Sequence, residues 1–139
     1  ERGGRFRVAP VADFTAERRY LPDTNVLETT FRTADGAVRL TDTMTVPTRT
    51  ASLFPDHEIL RRVEGVEGAV EIEVLCDPRF DYGRRIDPGR NRRALGIHFD
   101  GGATGLALRT DVHLRPREGR PGWTGRARLR PGEHRWLSL

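Results

Sequence analysis

Lysine is missing from this sequence. All 24 basic side chains among its 139 residues are arginines, set against 20 carboxylates for a net charge of +4. Arginine does not deprotonate in practice, and interspersed Asp and Glu predict a surface of Arg–carboxylate pairs, not a strongly positive field. Arginine-only usage in an Ala- and Gly-rich chain is read as coding bias. Cysteine is nearly absent too: Cys76 stands alone, which excludes an internal disulfide framework and a cysteine-rich zinc site and fits a reducing, cytosolic compartment. No apolar run approaches the roughly 20 residues that span a bilayer, and no signal-peptide pattern opens the chain, so no membrane partner is expected. Aromatic residues are only 7% of the chain.

Helical periodicity is also lacking. No stretch of ten or more residues carries apolar positions at helical spacing without an interrupting Gly or Pro, which leaves room for one short helical turn near 51–57. What is present is a period of two. In "AVRLTDTMTV" the residues Val38, Leu40, Met44 and Val46 share a face broken only by Asp42; in "AVEIEV" the inner row is Val70, Ile72 and Val74, with Glu71 and Glu73 outside. Similar rows are Leu27, Thr29 and Phe31; Leu95, Ile97 and Phe99; and Trp123, Ala127 and Leu129. "RFRV", "HEILRRVEG", "GLALRT" and "HRWLSL" are shorter strand candidates, with turn signals at "ADG", "EGVEG", "DGG" and "PGE". The fold expected is all-β, an antiparallel β-sandwich of supersandwich type, with few or no helices and with loops at 84–93 and 115–122. A chain of this length is expected to form one domain over 1–139.

The densest chemistry lies in "CDPRFDYGRR", residues 76–85. Glycoside cleavage needs two carboxyls about 5–9.5 Å apart, one of them kept protonated. Asp77 and Asp81 could approach that spacing, but Arg79, Arg84 and Arg85 would keep both ionised. The stretch therefore reads as a salt-bridged corner, with Phe80 and Tyr82 presented on alternate sides. His57, His98, His113 and His134 have no metal-ligand spacing, and His98 falls on the solvent side of its strand. Ser52 and Ser138 carry no nucleophile signature, and neither a metal nor a cofactor is expected. Asp42, on an apolar row, needs an Arg from a neighbouring strand or a bulge that turns it outward. "GRRIDPGRNRR", with five arginines in eleven residues, is the best candidate for phosphate contact. It contains no aromatic that could stack a base, so nucleic acid is not the expected partner.

"RRYLPDTNVLETTFRTADGAVRLTDTMTVP" at 18–47 and "ILRRVEGVEGAVEIEVLCDPRFDYGR" at 59–84 together resemble the N-terminal β-sandwich domain of bacterial trehalase- and glucoamylase-like enzymes of glycoside hydrolase family 15. The likeness covers roughly residues 3–84. It implies a two-part enzyme in which an (α/α)6 barrel carries the catalytic glutamates and hydrolyses α-glucosides such as trehalose with inversion. The usual Gly-Ser-Ile-Asp-Trp-type opening and any barrel helix are missing from these 139 residues. The chain therefore reads as a fragment of a larger enzyme, with no catalytic residue of its own and no activity alone. Its expected partner is the missing (α/α)6 domain, met through Asp77, Arg79, Phe80, Asp81, Tyr82 and Arg84 as a docking surface or cleft wall, with Trp123 and Trp136 as further apolar contacts. A stand-alone carbohydrate-binding module using Tyr82 with Trp123 or Trp136, and a homo-oligomer formed through exposed sheet edges, are the alternatives.

Overall fold

The computed structural model describes residues 3–45 and 58–139. The possible turn at 51–57, Val46, Ser52 and His57 lie outside the described residues. Twelve strands follow in chain order: β1 Arg5–Pro10, β2 Thr15–Tyr20, β3 Leu27–Thr33, β4 Gly36–Met44, β5 Ile59–Gly68, β6 Val70–Asp77, β7 Arg90–Asn91, β8 Ile97–Asp100, β9 Gly105–Thr110, β10 Arg115–Pro116, β11 Trp123–Leu129 and β12 His134–Ser138. The only helical elements among the described residues are single 3-10 turns at Asp81–Gly83 and Arg93–Leu95.

The strands form two antiparallel sheets, a small one in the order β1-β6-β11-β10 and a large one in the order β2-β3-β4-β5-β12-β9-β8-β7. Alternation explains why they stack. Strand β6 turns Val70, Ile72, Val74 and Cys76 into the interior, where all are buried, and leaves Glu71 and Glu73 on its outer side. The large sheet answers with Phe31, Val38, Leu40, Val63, Leu108 and Leu137. Removing side chains of this size from water contributes about 1.5–3 kcal/mol each, the main favourable term holding the sandwich closed.

Four sequence expectations need correction. "EGVEG" is not a turn, because β5 runs through it to Gly68. A bulge at Val66 of β5, opposite the Ala37–Val38 step of β4, absorbs the irregularity, pairing Gly65 with Val38 and Glu67 with Ala37. Gly65 is required there because a Cβ would stand 2.1 Å from the Arg130 carbonyl oxygen. Met44 is 64% exposed, since the apolar row of β4 gives way to a polar rim at Asp42. Leu95 is 55% exposed, because the 3-10 turn and Gly96 break strand parity before β8 begins. The two loops each contain a short strand, β7 and β10. The reading also missed β2, whose six residues are all exposed; an edge strand with both faces wet shows no apolar alternation.

Asp42 is resolved as expected by a neighbouring strand. It lies opposite Arg61 of β5, with Arg61 Nε 3.2 Å from Asp42 Oδ1. Arg61 reaches across the sandwich, donating to the Phe6 carbonyl and stacking over the Phe6 ring at 4.2 Å. One guanidinium thus ties the two sheets together at the edge of the core.

Candidate functional site

Strand β6 delivers the corner. At its end Asp77 is buried, and its Oδ2 accepts a hydrogen bond from Arg79 at 2.9 Å and meets Arg117 at 4.0 Å. The chain then turns back on itself. Phe80 and Arg85 exchange backbone hydrogen bonds of 3.0 and 3.1 Å around a 3-10 turn. Asp81 and Tyr82 in that turn adopt φ of 47° and 53°, a left-handed conformation costing about 1–2 kcal/mol for each non-glycine residue.

Something must hold such a turn, and Phe80 does. Its ring is 9% exposed and belongs to the core, packed so close to Gly101 that a Cβ there would lie 2.3 Å from Phe80 Cδ1. Arg85 adds an ion pair to Asp100 at 3.5 Å, joining the corner to the turn between β8 and β9. The effect is to present Tyr82, 96% exposed, on a pinned loop. An aromatic ring held out this way takes no part in packing the core.

The six expected site residues therefore divide. Phe80 is buried and Tyr82 exposed, a separation that strand alternation would not give, since residues two apart share a face; it arises in the left-handed 3-10 turn. Asp77 and Arg79 form the expected pair. Asp81 and Arg84 do not: both are exposed, and their contact is a backbone hydrogen bond from Arg84 N to the Asp81 carbonyl, not an ion pair. Phe80 serves as an anchor inside the core, so it is no surface contact. Trp123 is corrected likewise, being buried with its Nε1 donating to the Pro88 carbonyl at 2.8 Å. A sugar platform of Tyr82 with Trp123 is thereby ruled out. Trp136 remains 42% exposed, with the Arg62 guanidinium 5.8 Å from its ring centre.

Two clefts flank the corner. One, of about 340 Å³, is lined by Asp87, Arg90, Arg92, His98, Asp100 and residues 102–105. His98 there contacts the Leu95 carbonyl through Nε2 at 3.0 Å, on the solvent side of β8 as its position predicted. The other, of about 520 Å³, is lined by Gly3, Arg5, Asp77, Arg79, Arg117, Arg120 and Pro121. Sequence reading missed Arg117 and Arg120, because nothing local brings residues 40 positions away to Asp77; the pairing of β11 with β6 does so.

Cys76, next to Asp77, faces the core. Burial, then the neighbouring Asp77 charge, pushes its thiol up to about 12, partly offset by Arg61. A thiol so placed stays protonated and unreactive. Among the described residues no group of three or more His, Cys, Asp or Glu side chains could hold a metal ion, and no helix is long and apolar enough to cross a membrane.

No family model matches the chain, and no solved structure matches it. Among curated proteins it is similar to a trehalase of Mycolicibacterium smegmatis, 36% identical over 95 residues, and to a trehalase of Mycobacterium tuberculosis, 34% identical over 95 residues. Each alignment covers 58% of this chain and 14% of the relative, so the chain spans about one seventh of the relatives' length. Over that part, this chain is related in sequence to trehalases.

Proposed function

We propose that this chain is the N-terminal β-sandwich domain of a family 15 glycoside hydrolase acting on trehalose or a related α-glucoside, without catalytic residues of its own. In this reading it packs against an (α/α)6 catalytic barrel, and the 77–84 corner docks on that barrel or walls its active-site cleft. The observation that carries the reading is the relation to trehalases that extends over only 14% of their length while the chain itself is two sheets. Tyr82 supports it, as an aromatic held out on a turn whose geometry costs energy to maintain. The arrangement of Asp77 supports it as well: a carboxylate clamped by Arg79 and approached by Arg117 is poorly suited to donate a proton to a leaving group.

The test uses the full-length polypeptide and the 139-residue chain side by side, with glucose release from trehalose as the readout. Full-length protein is expected to turn over, the chain alone to release none from trehalose, maltose or starch, and Tyr82→Asp in the full-length protein to lower the rate. Glucose release by the chain alone, lost in Asp77→Asn, would overturn the reading.

A further inference from the structure

The 520 Å³ cleft at the end of β6 is unbalanced in charge. Among the described residues, four guanidinium groups line it, from Arg5, Arg79, Arg117 and Arg120, against the single carboxylate of Asp77. Setting Arg5 aside, three cations still face one anion. Asp77 does not serve them all: its Oδ2 is shared between Arg79 and Arg117, while its Oδ1, closed off from solvent, has no hydrogen-bond partner among the described residues. Arg117 is held in place by donating to the Pro121 carbonyl at 3.1 Å, and its side chain is only 23% exposed. A largely buried guanidinium without a full counter-charge carries a desolvation cost that an incoming anion would offset.

We propose that this cleft seats a carboxylate side chain presented by the polypeptide outside residues 1–139, so that Arg117 and Arg120 are the charged half of the docking surface and Tyr82 the apolar half. The inference rests on the docking reading above. Planar guanidinium forks match a carboxylate in geometry as well as charge. The cleft is far larger than a lone ion, which takes up a volume on the order of one water at about 30 Å³, and so has room for a side chain and its flanking backbone. No aromatic ring among the described residues lines it, which leaves a sugar nothing there to stack on. It also shares Asp77 and Arg79 with the corner, so one partner surface would cover both.

The absence of lysine makes a direct test available. In full-length protein, Arg120→Lys places a lone amine within this region, and a zero-length carbodiimide couples that amine only to a carboxylate in contact with it. Peptide mass spectrometry is expected to find it joined to an Asp or Glu beyond residue 139, with coupling lost at about 1 M salt, where screening reaches about 3 Å. Coupling confined to carboxylates within 1–139, or no coupling together with sulfate-dependent stabilisation that Arg117→Ala removes, would overturn the proposal, the latter by making the occupant a free ion. A parallel Tyr82→Lys variant separates the two readings. If its amine couples outward while that at position 120 does not, docking stands and the cleft assignment fails. If neither couples outward, both fail.

Discussion

Two aspartates of this molecule, the half-buried Asp42 and the buried Asp77, meet arginine in opposite ways. Asp42 stands one-to-one with Arg61 between the sheets, and Arg61 also donates to the Phe6 carbonyl and lies over the Phe6 ring. Asp77 stands at a sheet end among several arginines and neutralises them incompletely. A balanced pair closes a structure; an unbalanced one leaves charge for something else to meet. The distinction is not visible in residue type, since both are Asp–Arg contacts of ordinary length.

The sharpest way to break the comparison is to remove the balanced partner. Arg61→Ala leaves the Asp42 carboxylate without its cation and is expected to cost about 3–5 kcal/mol in chemical denaturation, whereas Arg120→Ala, at an exposed position, is expected to stay within about 0.5 kcal/mol. Next in size is the corner's anchor: Phe80→Ala should cost about 3 kcal/mol or more. Tyr82→Gly should leave stability unchanged or raise it by up to about 1 kcal/mol, because glycine relieves the left-handed strain. If Tyr82→Gly were as damaging as Phe80→Ala, the division of the corner into anchor and presented residue would be wrong.

Smaller effects come from pH. Burial raises the Asp42 carboxyl above its ordinary 3.8, opposed by Arg61. A raised folded-state value means the native state holds this proton more tightly than the unfolded chain does. The contribution of Asp42 is therefore fully present below the unfolded value and is lost as pH rises through the folded one. Carboxyl NMR should show the Asp42 midpoint above 3.8, and Arg61→Met should move it further up. For Cys76 the native thiol, raised from 9.0 to about 12, should resist a disulfide reagent at pH 8 until the protein is unfolded; its stabilising contribution is complete below pH 9 and lost through about 12.

Much of the architecture was legible because burial writes itself into alternation. The rows Val70, Ile72, Val74 and Leu27, Thr29, Phe31 appear in the sequence as they stand in the sheets. Strand β2 was not legible, since "TAERRY" gains its strand character from pairing with β3 and from Arg19 bound to Glu28 at 2.8–2.9 Å, contacts that leave no local pattern. The corner was half legible. The charge pattern gave Arg79 to Asp77, whereas the separation of Phe80 from Tyr82 comes from the left-handed turn, because alternation would put residues two apart on one face. The same charge pattern also gave Arg84 to Asp81, wrongly: both side chains are exposed, and the two residues are joined through the backbone of the turn. Arg117 and Arg120 reach the site through a long-range register, which spacing along the chain does not encode.

The hydrogen bond from the Trp123 indole to Pro88 gives the molecule an optical consequence. With Trp123 sealed in the core and Trp136 partly wet, the only two indoles in the sequence emit from unlike surroundings. Quenching by a dissolved iodide ion should dim Trp136 alone, leaving a blue-shifted residue of light from Trp123 that fades only when the sandwich opens. Integrity of the core and coverage of the outer sheet face can then be followed as two colours in one cuvette.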